Sequence, residues 1–231
     1  MDLEALFVAD AALYSEENLK LMGELRFVSR VPRTIKRAKD LLEAPEEEGL
    51  AFSDAKDRKG YRVAELEADY YAGLKQRWVV VHSDKRAEGD LERLRKRLDR
   101  EHEEALEALK ALGRRLSGCQ RDAREAANKL EKDLRYHRLR ETTTIKALPY
   151  HAKPGRPGRD APPPDYRYRV EADDEPEDLL ARNEARIAKD ERKAGRFVLA
   201  TSVLDEEALP AEEVLEAYLG QQVAERGFRS S

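Results

Sequence analysis

Three residues near the carboxyl end of the chain have types and spacing suited to metal-dependent chemistry. Tyr218, Gln221 and Glu225 are three and four residues apart, so on a helix they place an aromatic ring, an amide and a carboxylate on one face. A distant carboxylate, Asp10, follows the apolar run at 6–9. Carboxylates on a strand end and on a helix can converge on divalent metals that activate an oxygen nucleophile and stabilise a leaving phosphate oxygen.

The elements around these residues predict an α/β protein. A short buried strand at 3–9, a helix capped by Ser15 and a second strand at 26–31 form a βαβ pattern, which favours parallel strands with a right-handed crossover. A further apolar strand at 196–201 precedes the helix that carries Tyr218.

A basic cluster follows the second strand. Five residues within ten positions are positively charged: Arg30, Arg33, Lys36, Arg37 and Lys39. A solvated helix face explains such a run when it is taken alone, whereas contact with phosphates is equally favoured beside two candidate metal ligands. Trp78 adds a candidate for stacking on a nucleic-acid base, with packing inside a sheet as the alternative.

The middle of the chain has a different character. Two strand-like segments predict a β-hairpin at 61–83. A leucine and alanine stripe at 84–138, interrupted by glycines at 113–118, favours an antiparallel helical hairpin over a parallel dimer. Six of the ten prolines lie at 149–164, which predicts a loop, and 177–193 reads as a charged helix.

Overall composition excludes few classes of function. The 44 basic and 48 acidic side chains nearly cancel, so overall charge argues neither for nor against nucleic acid. Cys119 is the only cysteine, so an intrachain disulfide is excluded and a reducing cytoplasmic location is expected. No apolar run approaches the roughly 20 residues that span a bilayer, so no membrane association is expected.

Three stretches resemble the DDE transposases of bacterial insertion sequences, in the group whose catalytic Glu lies in a Tyr-x-x-Arg-x-x-x-Glu-x-x-x-x-x-x-Lys signature. They are Phe-Val-Ala-Asp at 7–10 with the segments 15–19 and 27–32, then Phe-Val-Leu-Ala-Thr at 197–201, and Tyr-x-x-Gln-x-x-x-Glu-Arg-Gly-Phe at 218–228. The resemblance implies a partial RNase H-like core formed by 1–34 and 196–231. Residues 35–195 would then be the large insertion that these enzymes carry.

This resemblance also implies an activity and its residues. Asp10 and Glu225 would be catalytic ligands of a two-metal site holding Mg²⁺ or Mn²⁺, for cleavage and strand transfer of DNA at transposon ends. Tyr218, Gln221 and Arg226 would contact that DNA, together with Arg30, Arg33 and Lys36 of the basic cluster.

Departures from the signature lower the expected activity. Gln221 replaces the signature Arg, which exchanges a charged phosphate contact for a weaker neutral one. The signature Lys would follow Ser231, and the family's first Asp belongs upstream of Asp10. The chain is therefore expected to be a fragment truncated at both ends, inactive alone, and to act as a homodimer or with a complementing transposase chain.

Two other hypotheses remain open at the level of sequence. In one, the helical segment 84–138 organises an interaction protein, and Asp10 and Glu225 are ordinary surface acids. In the other, the chain is a folded remnant that binds DNA without cutting it.

Overall fold

The computed structural model describes residues 5–23, 25–46, 50–141, 143–150, 164–171 and 176–229, and in the last helix it describes side chains as far as Gln221. Two compact units are present, Met1–Arg93 with Lys189–Ser231, and Leu94–Ala188. The secondary-structure elements follow one another in this order: β1 (Phe7–Ala9), α1 (Glu16–Met22), β2 (Phe27–Arg30), α2 (Lys36–Glu43), β3 (Ser53–Asp54), β4 (Tyr61–Tyr71), β5 (Leu74–Ser83), α3 (Asp84–Arg114), α4 (Gln120–Asp133), β6 (His137–Leu139), β7 (Ile145–Tyr150), β8 (Asp165–Val170), β9 (Leu180–Arg182), α5 (Glu184–Arg192), β10 (Arg196–Thr201) and α6 (Ala211–Arg229).

The first unit is built on a mixed six-stranded sheet with the strand order β1-β2-β10-β5-β4-β3. β1 and β2 are parallel, and the other neighbouring strands are antiparallel. The α/β class and the parallel pairing that the βαβ pattern predicts are therefore confirmed. Ser15 caps the intervening helix as expected, because its side chain accepts a hydrogen bond from the Asn18 amide at 3.2 Å.

The predicted hairpin at 61–83 lies inside this same sheet. β4 and β5 turn at Ala72 and Gly73, both with positive φ, as a tight hairpin turn requires. β5 then pairs with β10 along its length. The hairpin thus lies in the same sheet as β1, β2 and β10, and the second compact unit begins at Leu94.

The central strands are apolar on both faces, as expected for strands covered by helices on either side. On one face, α6 covers alternate residues of β5 and β10; this cluster includes Val79, Val81, Phe197, Leu199, Val214, Leu215 and Tyr218. On the other face, α1 and α2 cover the intervening residues; this cluster includes Leu19, Ala38, Leu42, Trp78, Val80, Val198 and Ala200. The sheet is the middle layer of three.

The second unit contains the helical hairpin. α4 folds back along α3, so that Leu130 and Leu134 pack against the cluster around Ala105 and Leu109. Two short antiparallel pairs, β6 with β9 and β7 with β8, complete it.

The helix predicted at 177–193 is wrong in its first half. Residues 180–182 form β9, and Leu180 is buried with Ala105 and Leu109. The apolar pair at 179–180 packs into this cluster, so that a short 3-10 helix at Pro176–Leu179 gives way to β9 and the α-helix begins only at Glu184. In the proline-rich segment, Pro149 and Tyr150 end β7 and residues 151–163 lie outside the described chain.

None of the helices in the described parts of the chain is both long enough and apolar enough to cross a membrane.

Gly195, which leads into β10, is the tightest backbone approach among the described glycines. Its φ is +74°, and a Cβ there would lie 2.5 Å from the Ser83 carbonyl oxygen and 2.8 Å from the Ala87 Cβ. Gly73 has a similar φ of +83°, but nothing lies within 4 Å of its Cβ position. Substitutions at Gly73 and Gly195 therefore share the cost of the positive φ, and only the one at Gly195 adds steric overlap.

We expect Gly195→Ala to destabilise the fold far more than Gly73→Ala. The positive φ alone costs an alanine roughly 1–2 kcal/mol, and overlap with packed neighbours adds about 1–3 kcal/mol at Gly195 only. Urea unfolding followed by circular dichroism measures both losses. Equal losses in the two variants would show that the loop around Gly195 relaxes freely.

Candidate functional site

Four strand ends point toward one edge of the sheet. Ala9 pairs with Ser29, and Arg30 with Leu199, so β1 and β2 run toward the edge at which β10 begins and end level with Ala200 and Leu199. β5 continues to the start of β10, because its His82 pairs with Arg196. Ligands of open α/β sheets bind outside the carboxyl ends of parallel strands, and Asp10 follows β1 at this edge.

Four arginines, which we term the arginine cluster, gather at this edge. They are Arg30 at the end of β2, Arg33 in the following turn, and Arg86 and Arg93 in the first turns of α3. Arg86 and Arg93 are seven residues apart, so they share one face of the helix.

Direct contacts hold the cluster together. The guanidinium carbons of Arg30 and Arg86 lie 5.4 and 4.8 Å from the ring centroid of Phe197, which is buried. Arg33 donates a 2.9 Å hydrogen bond to the Arg196 carbonyl oxygen. Cation–π contacts of this kind contribute about 0.5–2 kcal/mol each, more when they are desolvated. The Phe197 ring thus holds two positive charges at the sheet end.

Asp90 is the acidic partner of the cluster. Its carboxylate accepts hydrogen bonds from the Gly195 amide at 3.0 Å and from Arg93 at 2.5 Å. Burial acts to raise the pKa of Asp90, but the hydrogen bonds from Gly195 and Arg93 and the charge of Arg33 outweigh burial, and the pKa is lowered. Asp90 therefore stays ionised and fixes the start of α3 to the loop before β10.

The charges of the cluster are crowded. The pKa of Arg33 is lowered, chiefly because its guanidinium is desolvated and then because Arg30, Arg86 and Arg93 are close, although the residue as a whole remains exposed. Asp90 offsets only part of this repulsion. Electrostatic repulsion therefore remains at Arg33. A bound anion would relieve it, and arginine is the residue best suited to phosphate.

Asp10 stands at the same edge, one strand away from Arg30. It is exposed, and its carboxylate accepts a 2.6 Å hydrogen bond from the Ala11 amide. No group of three or more acids, histidines or cysteines able to hold a metal occurs among the described residues. Glu225 and Arg226 lie beyond the last described side chain, so their predicted roles stay predictions.

The last helix runs toward this edge. Its start lies at the opposite end of β10, where Arg77 hydrogen-bonds to the Leu209 carbonyl oxygen. Seven residues into the helix, the Tyr218 ring lies 5.9 Å from that of Phe197, next to the cluster. The helical backbone then continues to Arg229. The helical turns after Tyr218 therefore continue past the end of the sheet at which Asp10 lies.

Burial corrects two of the predicted DNA contacts. Trp78 is only 1% exposed and packs beneath Arg37 and against Tyr71, so the prediction that it stacks on a base is wrong and the packing alternative holds. The Tyr218 ring is 2% exposed and belongs to the core that α6 forms with the sheet. Gln221, one turn later, is half-buried.

The structure brings Arg30 and Arg33 together and adds Arg86 and Arg93, which sequence reasoning missed. Their signal was the seven-residue spacing of two arginines around Asp90, hidden in a segment dominated by its leucine stripe. Lys36 is exposed at the start of α2 and contacts no member of the cluster in the described structure.

Comparisons with known proteins found no match: no protein-family model fits the chain, and no curated protein or solved structure is significantly similar to it.

Asp90→Asn should lower stability at neutral pH and change its pH dependence. Because the pKa of Asp90 is lowered from its ordinary value of 3.8, its carboxylate stabilises the fold above that value and this contribution is lost as pH falls through the folded-state pKa. Removing the charge should cost about 1–3 kcal/mol near pH 7, and much less once the wild-type carboxylate is protonated in acid. Urea unfolding over a pH series measures this.

Asp99→Asn is the matched control, because Asp99 is an exposed carboxylate on the same helix. It should follow the wild type at every pH. A constant stability difference between Asp90→Asn and wild type across the series would contradict the assigned role of the Asp90 charge.

Proposed function

We propose that the chain binds the phosphate backbone of DNA through the arginine cluster, as part of DDE-type DNA transposition. The observation that carries this proposal is the convergence of four arginines at the sheet edge where Asp10 stands, two of them on the Phe197 ring and the other two near Asp90. Phosphate would offset the repulsion within the cluster and matches the planar donor geometry of guanidinium.

The layout of the cluster favours an extended polyanion over a small acid. Arg86 and Arg93 are separated by about 10 Å along α3, at 1.5 Å per residue. Phosphates of one DNA strand follow at about 3.4 Å of helix axis, so this separation corresponds to roughly three phosphate-to-phosphate steps measured along that axis. Arg30 and Arg33 extend the positive surface across the end of β2.

The arrangement of strands supports the transposase part of the proposal. An RNase H-like core would place a catalytic carboxylate after a parallel strand, as Asp10 follows β1, and would bring its Glu on a helix crossing the sheet toward that end, as α6 does. Glu225 would then join Asp10 in holding Mg²⁺ or Mn²⁺, whose role would be to activate the attacking oxygen and stabilise the leaving one.

No group of three or more acids, histidines or cysteines able to hold a metal occurs among the described residues, and Asp10 is the described carboxylate that the resemblance assigns to the metal site. The first Asp that the resemblance implies also has no counterpart in the three stretches that carry the resemblance. We therefore assign this chain the binding of DNA and leave the cutting step to an assembly that provides the other carboxylates.

Replacing Arg30 and Arg86 together with Gln should weaken binding to duplex DNA. Losing two phosphate contacts should lower affinity by about tenfold or more near 0.1 M salt and reduce the slope of log K against log salt by about two. Fluorescence anisotropy with a labelled duplex across a salt series gives both quantities, and thermal melting checks that the variant folds.

The control replaces Arg95 and Arg121 with Gln. Both arginines are exposed on helices of the second unit, and the two substitutions remove the same amount of charge. It should leave affinity and slope nearly unchanged. Equal losses in the two double variants would mean that only net charge matters. No loss in the Arg30 and Arg86 variant would refute phosphate binding at the cluster.

The purified chain alone should not cut DNA when Mg²⁺ or Mn²⁺ is added, because its described residues supply too few carboxylates to hold two metals. A supercoiled plasmid assay should show the same background for wild type, Asp10→Asn and Glu225→Gln. Metal-dependent nicking by the wild type that both variants abolish would overturn this expectation.

A further inference from the structure

A second basic surface lies between α2 and α5 in the first unit, on the sheet face that α1 and α2 cover. Its groove has a volume of ≈ 730 Å³. Leu41, Ala44 and Pro45 form its apolar part, and its charged lining consists of Lys36, Arg37, Asp40, Glu43, Lys189 and Arg192. We term it the α2–α5 groove.

One of the two acids of this groove, Glu43, is neutralised within the protein, whereas Asp40 is exposed. Glu43 is 13% exposed and pairs with Lys193 at 3.0 Å and with Lys189 at 4.0 Å. Burial acts to raise the pKa of Glu43, but these lysines and Lys39 outweigh burial and lower it. Glu43 is therefore ionised yet shielded by its neighbours.

The positive charges are at the rim of the groove. Lys36 is exposed, and the side chain of Lys189 is 50% exposed and holds Glu43 only at 4.0 Å. Arg192 uses its Nε to donate to the Glu43 carbonyl oxygen at 2.7 Å and lines the groove beside them. The lining carries four basic side chains against two acids, and Arg37 is also paired with Asp69 at 2.7 Å. The remaining excess of positive charge makes the α2–α5 groove attractive to an anion longer than a single phosphate.

The groove is connected to the arginine cluster around the end of the sheet. A neighbouring pocket of ≈ 480 Å³ shares Pro45 and Arg192 with the groove and is also lined by Arg196. The Arg196 carbonyl oxygen accepts the hydrogen bond from Arg33, a member of the cluster. The Arg196 side chain itself is buried and paired with Glu46 at 3.0 Å. The exposed positive side chains nearest the passage are therefore Arg33, after β2, and Lys36, at the start of α2, which place the cluster and the groove next to each other around the sheet end.

We propose that the occupant of the groove is a segment of single-stranded DNA. DNA held at the arginine cluster would continue around the sheet end as a single strand, with its phosphates in the α2–α5 groove. This inference rests on the proposed DNA binding at the cluster. Helix and sheet layers pack about 10 Å apart, so a path from one face to the other bends within tens of ångströms. Duplex DNA, with a persistence length of about 150 base pairs, resists such a bend, whereas a single strand follows it freely.

A comparison of blunt and tailed DNA tests this inference. The probes are a labelled blunt duplex and the same duplex with a single-stranded thymidine tail of about 10 nucleotides, within the range that single-strand grooves accommodate. The tail should increase wild-type affinity about tenfold. Replacing Lys36 and Lys189 with Gln should remove most of that gain and leave the affinity for blunt duplex within about twofold of wild type.

Matched variants separate this inference from the proposed function. Replacing Lys110 and Lys129 with Gln removes the same charge from exposed helix positions and should preserve the gain from the tail. The Arg30 and Arg86 variant should bind both probes more weakly. If that variant binds both normally, the proposed function fails.

If instead the cluster variant loses binding while the tail adds no affinity, only the groove assignment fails. The groove assignment also fails if the Lys36 and Lys189 variant keeps the full gain from the tail, or if it binds both probes more weakly by the same factor. A tail gain lost only in the Lys36 and Lys189 variant, with the cluster still required for the duplex, supports the proposed path.

Discussion

The hydrogen bond from the Gly195 amide to Asp90 is the contact on which the candidate site depends. It ties the loop entering β10 to the start of α3, while the Gly195 carbonyl oxygen accepts a second hydrogen bond from the Ser83 amide where β5 ends. The backbone passes so close to Ser83 and Ala87 that no side chain fits at Gly195. β10 therefore enters the sheet at a fixed position, and Arg86 and Arg93 are carried to the end of β2.

Bringing several arginines together at one site costs folding stability. The pKa of Arg33 is lowered chiefly by desolvation and then by the charges of Arg30, Arg86 and Arg93. The Phe197 ring and Asp90 compensate by cation–π contact and by charge, but only in part. Sites that hold like charges together are common where function requires a ligand of the opposite charge. If the cluster binds phosphate as proposed, the ligand would offset the repulsion that Phe197 and Asp90 leave.

Much of the architecture was predictable because it depends on local pattern. The apolar runs around Trp78 and Phe197 indicate buried strands, the Ser15 cap marks the start of α1, and the glycines near residue 115 indicate where the helical hairpin turns. The short strand β9 was not predictable, because its formation depends on distant leucines in α3 that bury Leu180. Burial of Trp78 is likewise a consequence of layers packing on both faces of the sheet.

The sequence by itself determined the α/β class, the parallel pair of β1 and β2, and the presence of an acid and a basic cluster at the end of that pair. Only the tertiary structure decided which positive side chains meet. Arg30 and Arg86 are 56 positions apart and lie on the same ring because β5 and β10 are neighbours, a pairing that depends on burial over the whole sheet. Local spacing places residues on a face of one element, whereas contacts between elements depend on the free energy of the assembled core.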